Sequence, residues 1–308
     1  MLNLKVLIVN SYTSGKDSVF VLEQVESCRK QGVEFDFLKI KQRGLKGYIL
    51  AYIRLIRAII SVRYDVIHAH YGLCGLIAIF QPFVPVVVTF HGCDVNSKRT
   101  NYISKIVYRL SRFAIVVESE MVKKLRAKKK IEVIPCGVDL DIFQPMDKSD
   151  ARKKLEISDS QKTVLFASSF SIPVKNAELA KRVCSNIDNV VLIELANKSR
   201  SEVNLLLNSC DLLLLTSIRE GSPMIIKEAL ATNCPIVSVN VGDVSERTSG
   251  VKNVIVCNPN EADLTRAINI SLMDNNRTDG RARIINDRLD VHSVAKRICN
   301  IYEHCAGL

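Results

Sequence analysis

Short apolar runs alternate with amphipathic stretches along most of this chain. Runs such as Leu4–Asn10 are typical of strands buried on both faces, and stretches such as Val19–Lys30 and His292–Cys305 have helical spacing. The other predicted strands are Glu34–Ile40, Asp65–Ala69, Val84–Phe90, Ala114–Val117, Ile131–Ile134, Thr163–Ala167, Val190–Leu195, Leu212–Thr216, Ile236–Val239 and Val254–Val256. This alternation predicts an α/β fold with parallel sheets covered on both faces.

A stretch rich in chain-breaking residues separates the alternation into two halves. Pro135, Gly137 and Pro145 lie close together there. A chain of 308 residues is too long for one ordinary core. We therefore predict two facing Rossmann-like domains, 1–143 and 144–308, with an interdomain cleft and with the last helix, about 292–305, able to pack back on the first domain.

Composition indicates a globular protein from a reducing compartment. Hydrophobic residues make up 47% and charged residues 24% of the chain, and the ten cysteines contain no C-x-x-C pair. The first residues have the length of a strand rather than of a signal peptide. These features predict a cytoplasmic protein.

The net charge of +11 is concentrated in the first half. Up to Pro145 there are 22 Lys and Arg against 12 Asp and Glu. Such a basic half favours an anionic partner, but no nucleic-acid motif is present, which leaves the membrane. The segment Leu45–Arg63 predicts an amphipathic helix with too many charges to span a bilayer. It is suited either to lie on an anionic inner membrane face or to pack as an ordinary helix with snorkelling arginines.

The window from Asp211 to Val239 predicts one strand–helix–strand unit. Ser222 is a preferred N-cap residue and Pro223 suits the first helical position, so we predict a helix over Pro223–Thr232. Its free backbone N–H groups form an anion site. Glu220 and Glu228 bracket that site, which suits a ligand that combines phosphate with sugar hydroxyls. The alternative is that these glutamates serve only the helix dipole.

Several segments extend the pattern beyond this window. They are FVLEQV (Phe20–Val25), HAHYG (His68–Gly72), TFHGCDV (Thr89–Val95), VIPCGVDLDIF (Val133–Phe143), the E-x7-E pair Glu220 and Glu228, and VGDVSE (Val241–Glu246). In this order they resemble the retaining GT-B-fold glycosyltransferases of family 4 that build bacterial cell-surface polysaccharides.

The resemblance implies a role for each matching residue. Glu220, His91 and Lys175 would act at the reaction centre. The first domain would bind the acceptor, through Gly15, Lys16 and Asp94. The second would bind the donor, through Glu228, Gly221, Ser222, Met224, Ile225, Ser168, Ser169 and Glu246. The chain departs from the family at Ser168 and Ser169, where an arginine is expected, and a serine offers the diphosphate a weaker, neutral hydrogen bond.

The resemblance also implies the reaction. A sugar would move from a UDP- or GDP-sugar to a hydroxyl of a lipid-linked or other saccharide, with retention and without a metal or cofactor. His68 and His70 share a strand face but lack a convincing third ligand, so we predict no metal site. Three alternatives remain: a nucleotide-sugar-binding partner subunit without turnover, an epimerase or phosphorylase on the same fold, and a nucleic-acid binder, which rests on the positive charge alone.

Overall fold

The computed structural model describes residues 4–12, 15, 18–42, 44–274 and 276–308. The chain forms two compact units. The first unit consists of Met1–Gly137 and Val291–Leu308, and the second consists of Val138–Asp290.

The elements alternate between strand and helix in both units. The first unit contains β1 (Leu4–Ser11), α1 (Val19–Arg29), β2 (Val33–Ile40), α2 (Gly44–Ser61), β3 (Val66–His70), α3 (Gly72–Ala78), β4 (Val86–Phe90), α4 (Cys93–Asn96), α5 (Lys98–Leu110), β5 (Phe113–Val116), α6 (Glu120–Leu125) and β6 (Ile131–Val133). The second contains α7 (Lys148–Lys154), β7 (Lys162–Phe166), α8 (Ala177–Ser185), β8 (Val190–Glu194), α9 (Arg200–Ser209), β9 (Leu212–Leu215), α10 (Met224–Ala231), β10 (Ile236–Val239), α11 (Val244–Thr248), β11 (Val254–Cys257), α12 (Glu261–Asp274) and α13 (Gly280–Asn286), and α14 (Val291–Ala306) completes the first unit.

Both sheets are parallel, as the apolar strands predict. The six-stranded sheet has the order β2-β1-β3-β4-β5-β6, and the five-stranded sheet has the order β11-β10-β9-β7-β8. Every predicted strand is present within two residues of its predicted bounds. The predicted α/β fold class is therefore confirmed. None of the described helices combines the length and apolar character that crossing a bilayer requires.

Each sheet reverses its strand order once. In the first unit the chain moves from β1 outward to β2 and then back across to β3, and in the second it moves from β7 to β8 and back to β9. Loops diverge at such a switch point, which leaves a crevice at the carboxyl ends of the two central strands. The loops after β1 and β3 and those after β7 and β9 therefore border the two crevices, where a ligand is expected to bind.

Alternate residues of β1 pack on opposite faces of the first sheet. Leu4, Val6 and Ile8 belong to a core formed with α1 and α14, whereas Leu7 and Val9 belong to a core formed with α2 and α3. This follows from the two-residue period of a strand. The helix α14 thereby forms part of the core of the first unit.

The junction between the units lies at Gly137 and Val138, six residues before the predicted boundary. Val138 and Phe143 are fully buried in a core of the second unit. The guanidinium of Arg281 also donates to the carbonyls of Phe143 at 2.6 Å and Leu140 at 3.2 Å. These contacts assign residues 138–143 to the second unit, and the breaker residues that precede them mark the junction.

Candidate functional site

The switch point of the second sheet brings together the loops that follow β7 and β9. Residues Pro173–Lys175 form a short 3-10 turn after β7, and Asn176 ends it in the left-handed conformation. The hydroxyl of Thr216, just after β9, donates to the carbonyls of Lys175 and Asn176 at 3.0 Å each. The two loops are thus held side by side.

The predicted residues Lys175 and Glu220 form an ion pair at this point. The Lys175 Nζ lies 2.6 Å from Glu220 Oε1, and both side chains remain partly exposed. The sequence separates the two residues by a complete βαβ unit, and the topology alone brings them together. A cation and a carboxylate therefore stand side by side at the carboxyl edge of the sheet.

The helix α10 begins next to this pair, but its N-terminus differs from the prediction. Pro223 is the N-cap residue and Met224 is the first helical residue, so the prediction of Ser222 as N-cap was wrong. The Ser222 hydroxyl instead donates to Asp243 Oδ2 at 2.7 Å and accepts from Lys227 Nζ at 2.9 Å. A proline has no side-chain acceptor, so the first N–H groups of α10, including those of Met224 and Ile225, keep the anion-binding character of a helix N-terminus.

Glu228 lies one turn further along α10 and is 3% exposed. Its Oε1 accepts a 2.6 Å hydrogen bond from Arg200 Nη1, and the Arg200 guanidinium stacks 4.6 Å from the ring of Phe143. Burial raises the pKa of Glu228 above its usual value, while the charges of Arg200 and Lys227 oppose that rise. Arg200 was missed by the sequence analysis, because it precedes Glu228 by 28 residues in a different helix.

The loop before α10 is held by contacts that require glycine. Gly242 has a φ of +54°, and a Cβ there would lie 1.9 Å from the carbonyl oxygen of Gly221. The adjacent Asp243 donates its backbone N–H to that same oxygen at 3.0 Å. The Ser222 hydroxyl is therefore held between Asp243 and the fully buried Lys227. The sequence analysis did not predict these two contacts. A lysine within the otherwise apolar start of α10, MIIKEALA, is the signal that could have revealed it.

The remaining predicted donor residues are engaged elsewhere. The Ser169 hydroxyl lies 3.0 Å from that of Ser171 and 3.4 Å from Glu194 Oε2, and the Ser168 amide donates to the Phe166 carbonyl. The Glu246 carboxylate binds Arg247. Ile225 is buried in the core of the second unit, so only its backbone is available to a ligand.

In the first unit, His91 follows β4 and lies among aromatic rings. Its ring centroid lies 4.6 Å from Phe20, 4.7 Å from Tyr71 and 5.3 Å from His70. His91 Nε2 lies 3.0 Å from His70 Nδ1. Tyr71 has a φ of +72°, a conformation that non-glycine residues rarely adopt and that is concentrated at functional sites.

Asp94 braces the loop that carries His91. Its Oδ1 accepts from the amides of His91 at 3.1 Å and Gly92 at 3.0 Å, and its Oδ2 accepts from the Gly72 amide at 3.0 Å. Burial raises the pKa of Asp94 to about 6, against the lowering effect of these amides. The Asp94 carboxylate thus accepts three hydrogen bonds from backbone amides. Asp94 also lines a hollow at the carboxyl end of the sheet.

His68 and His70 lie on β3, which pairs with β4, the strand that precedes His91. His68 Nδ1 lies 2.6 Å from the Tyr302 hydroxyl, and its Nε2 lies 2.7 Å from Thr89 Oγ1. Burial lowers the pKa of His68 and lowers that of His70 to about 3, so both rings are neutral. Across residues 4–12, 15, 18–42, 44–274 and 276–308, no group of three His, Cys, Asp or Glu side chains is arranged to hold a metal.

Two further predicted residues precede this site in the chain. Gly15 has a φ of +77° in the loop after β1. Lys16 lies outside the described residues. Asp139 and Asp141 have the D-x-D spacing of some metal sites, but Asp139 Oδ1 accepts from the backbone amides of Asp141 and Ile142, so Asp139 stabilises a turn.

Comparisons with known families assign both units to one class of enzyme. Residues 12–142 match the family described as Glycosyltransferase Family 4, and residues 161–274 match the family described as Glycosyl transferases group 1. These segments correspond largely to the two units. The chain belongs to the glycosyltransferases with the GT-B fold.

Individual proteins agree with this assignment. The chain is 29% identical over 237 residues to UDP-Gal:alpha-D-GlcNAc-diphosphoundecaprenol alpha-1,3-galactosyltransferase of Escherichia coli, a match that covers 61% of each protein. It is 27% identical over 213 residues to the putative teichuronic acid biosynthesis glycosyltransferase TuaC of Bacillus subtilis, covering 59% of this chain and 54% of the relative. The chain thus spans little more than half the length of these relatives.

Solved structures share the complete fold. A sucrose-phosphate synthase of Thermosynechococcus elongatus superimposes with a TM-score of 0.85 at 16% identity, over 98% of both chains. Anabaena Alr3699/HepE, solved in complex with UDP, superimposes with a TM-score of 0.78 at 16% identity, over 99% of this chain and 100% of the other.

Proposed function

We propose that this chain is a retaining glycosyltransferase that moves a sugar from a nucleotide-diphospho-sugar to a hydroxyl of a lipid-linked saccharide. The observation that carries the proposal is the N-terminus of α10, where Glu220 is paired with Lys175 at 2.6 Å and Glu228 lies one turn further on. Glu228 accepts hydrogen bonds from the ribose hydroxyls, and Glu220 accepts them from the donor sugar. The amides of Met224 and Ile225 face the diphosphate.

The reaction requires stabilisation of charge more than a protein nucleophile. As the sugar leaves, negative charge grows on the diphosphate, and a donor placed beforehand lowers the barrier without reorganising solvent. Lys175 supplies that donor, while its contact with Glu220 keeps the ammonium at the crevice. The acceptor hydroxyl attacks from the face that the diphosphate leaves and gives its proton to a leaving phosphate oxygen. This mechanism uses no metal.

The acceptor is proposed to be bound on the inner face of a membrane. The segment 41–63 contains six Lys and Arg and no Asp or Glu. Within it, α2 exposes Leu45 and Ile60 at 77% each, with Ile49, Leu50 and Ile53 also exposed. An exposed apolar face on a segment whose charged residues are all cationic suits an anionic lipid surface. The relatives named for a diphosphoundecaprenol acceptor and for teichuronic acid synthesis support the same class of acceptor.

Nucleotide binding tests the donor site. UDP, GDP and ADP are titrated in a thermal-shift assay, since a ligand that binds only the folded state raises the melting temperature. We expect UDP or GDP to raise it, Glu228→Ala to abolish the rise, and Glu220→Gln to retain it while turnover is lost. An unchanged rise in Glu228→Ala contradicts the assignment of Glu228 to the ribose.

Turnover tests the reaction. Nucleotide diphosphate should be released from the donor only when a saccharide acceptor is present. Lys175→Met should lower kcat by about 10²- to 10³-fold, as the loss of one preorganised donor to developing charge does in other enzymes. Lys175→Arg is the matched control, because it keeps the positive charge.

A second candidate function is a partner subunit that binds nucleotide-sugar without turnover. It is favoured by Ser168 and Ser169, which replace an expected arginine and hydrogen-bond within their own loop. Nucleotide binding with no release of nucleotide diphosphate across a panel of lipid-linked and soluble acceptors would support it.

A further inference from the structure

Two hollows on the first unit share part of their walls. One has a volume of about 700 Å³ and lies between α2 and α3, and the other, of about 490 Å³, lies at the carboxyl ends of β1, β3 and β4. Tyr48 of α2 and Leu73 of α3 line both. The two hollows are therefore neighbours and together extend from the helical surface to the end of the sheet.

The chemistry of the walls differs sharply between the two hollows. The helical hollow is lined almost wholly by apolar groups, among them Leu45, Tyr48, Ile49, Tyr52, Leu76 and Phe80. The hollow at the sheet edge adds polar groups from Ser11, Ser18, Asp94 and Thr100. A ligand that fills both must have an apolar part and a polar part.

A hydrogen bond connects the two walls of the helical hollow. The Tyr52 hydroxyl of α2 donates to the Phe80 carbonyl beyond α3 at 3.3 Å, which ties the two walls together. Its volume lies within the range usual for small-molecule sites. Phe80 is nevertheless 63% exposed and Ile49 is 51% exposed, so a large apolar surface is left to water. Burying that surface against hydrocarbon is favourable.

We infer that the hollow between α2 and α3 binds the hydrocarbon chain of the lipid-linked acceptor itself, while the polar head of that acceptor enters the hollow at the sheet edge. This inference rests on the proposed function. The main support for this inference is that Tyr48 and Leu73 line both hollows. The apolar hollow is therefore continuous with the switch point of the first sheet, where a saccharide would be placed. The helix α2, which forms one wall of the hollow, contains three Lys and Arg and no Asp or Glu, so no carboxylate of this helix opposes an anionic ligand.

The experiment compares two substitutions on the same helix. Ile49→Glu places a carboxylate in the wall of the hollow, whereas Ile60→Glu makes the same change at an exposed position of α2 that does not line it. Binding of dodecyl phosphate and of inorganic phosphate is measured by calorimetry, without vesicles and below the concentration at which micelles form. Far-UV circular dichroism checks that both variants are folded.

We expect dodecyl phosphate to bind the parent chain with a negative heat-capacity change, the mark of apolar burial. Ile49→Glu should weaken this binding at least tenfold, and Ile60→Glu should not. In turnover, KM for acceptors that differ only in alkyl length should fall by about fourfold per added methylene until the hollow is filled, and Ile49→Glu should flatten this dependence.

Three outcomes overturn the inference. The first is equal affinity for dodecyl phosphate and inorganic phosphate, and the second is equal weakening by both substitutions. The third is that Ile49→Glu leaves dodecyl phosphate binding unchanged but weakens binding to anionic phospholipid vesicles in a separate sedimentation assay, which would assign the hollow to bulk bilayer lipid. Failure of the proposed function appears differently. Turnover would be absent with every acceptor while dodecyl phosphate still bound in a manner sensitive to Ile49→Glu, and the chain would then be a lipid-binding protein.

Discussion

The pair formed by Arg200 and Glu228 offers the sharpest test of how the second unit is built. Arg200→Met removes the guanidinium but keeps a long apolar side chain that can pack on Phe143. It leaves the Glu228 carboxylate, 3% exposed, without the 2.6 Å hydrogen bond from Arg200. Breaking one side of a buried pair in this way costs about 3–5 kcal/mol, because a charge remains buried without compensation.

The cost should depend on pH with a definite sign. Burial already raises the pKa of Glu228, and the loss of Arg200, which lowers it, raises the pKa further. A carboxyl group whose pKa is higher in the folded state binds its proton more tightly there. The deficit of Arg200→Met is therefore largest at pH 8. Once the pH falls below the folded-state pKa of Glu228 in the variant, the deficit shrinks by about 1.4 kcal/mol per pH unit, until the pH reaches the folded-state pKa of Glu228 in the parent chain.

Urea denaturation at pH 5, 6 and 8 measures this deficit. The chain contains no tryptophan, so unfolding is followed by circular dichroism at 222 nm. The matched control is the double variant Arg200→Met/Glu228→Gln, in which no carboxylate is left uncompensated, and it should recover much of the loss. A deficit below about 1 kcal/mol at pH 8, the range of an exposed ion pair, would refute the reasoning. So would a deficit that is equal at pH 5 and pH 8.

Two other predictions follow from backbone geometry and from buried histidines. Gly242→Ala should cost about 2–5 kcal/mol, since the new methyl group meets the Gly221 carbonyl oxygen at 1.9 Å in a left-handed conformation. Gly250→Ala, at a φ of +77° with open space around it, should cost only about 1–2 kcal/mol; equal losses in urea denaturation would contradict the steric argument. His68 and His70 have lowered pKa values in the folded state, so the unfolded chain binds more protons and stability should decline as the pH falls below about 6.5. His70→Gln should reduce that slope by about 1.4 kcal/mol per pH unit between pH 6 and pH 4, and an unchanged slope in urea denaturation would count against a neutral His70.

The sequence determined the elements and the fold class. Short apolar runs such as Leu4–Asn10 and Ile236–Val239 are typical of strands covered on both faces, so their alternation with helices predicts parallel sheets. It also indicated Lys175 and Glu220, which follow strand ends, and Glu228, which lies in the helix after Glu220. The family matches over residues 12–142 and 161–274 agree with the family that the sequence motifs resemble.

Only the tertiary structure decided which side chains meet. Lys175 and Glu220 approach within 2.6 Å because β7 and β9 are neighbours in the sheet. Arg200 lies on another helix and donates a hydrogen bond to Glu228. Ser222 was predicted to cap α10, but its hydroxyl donates to Asp243 instead. Local patterns record which face of an element is buried, which is enough to predict strands and helices. They do not record which distant element covers that face, and the pairing of charges at this site depends on that arrangement.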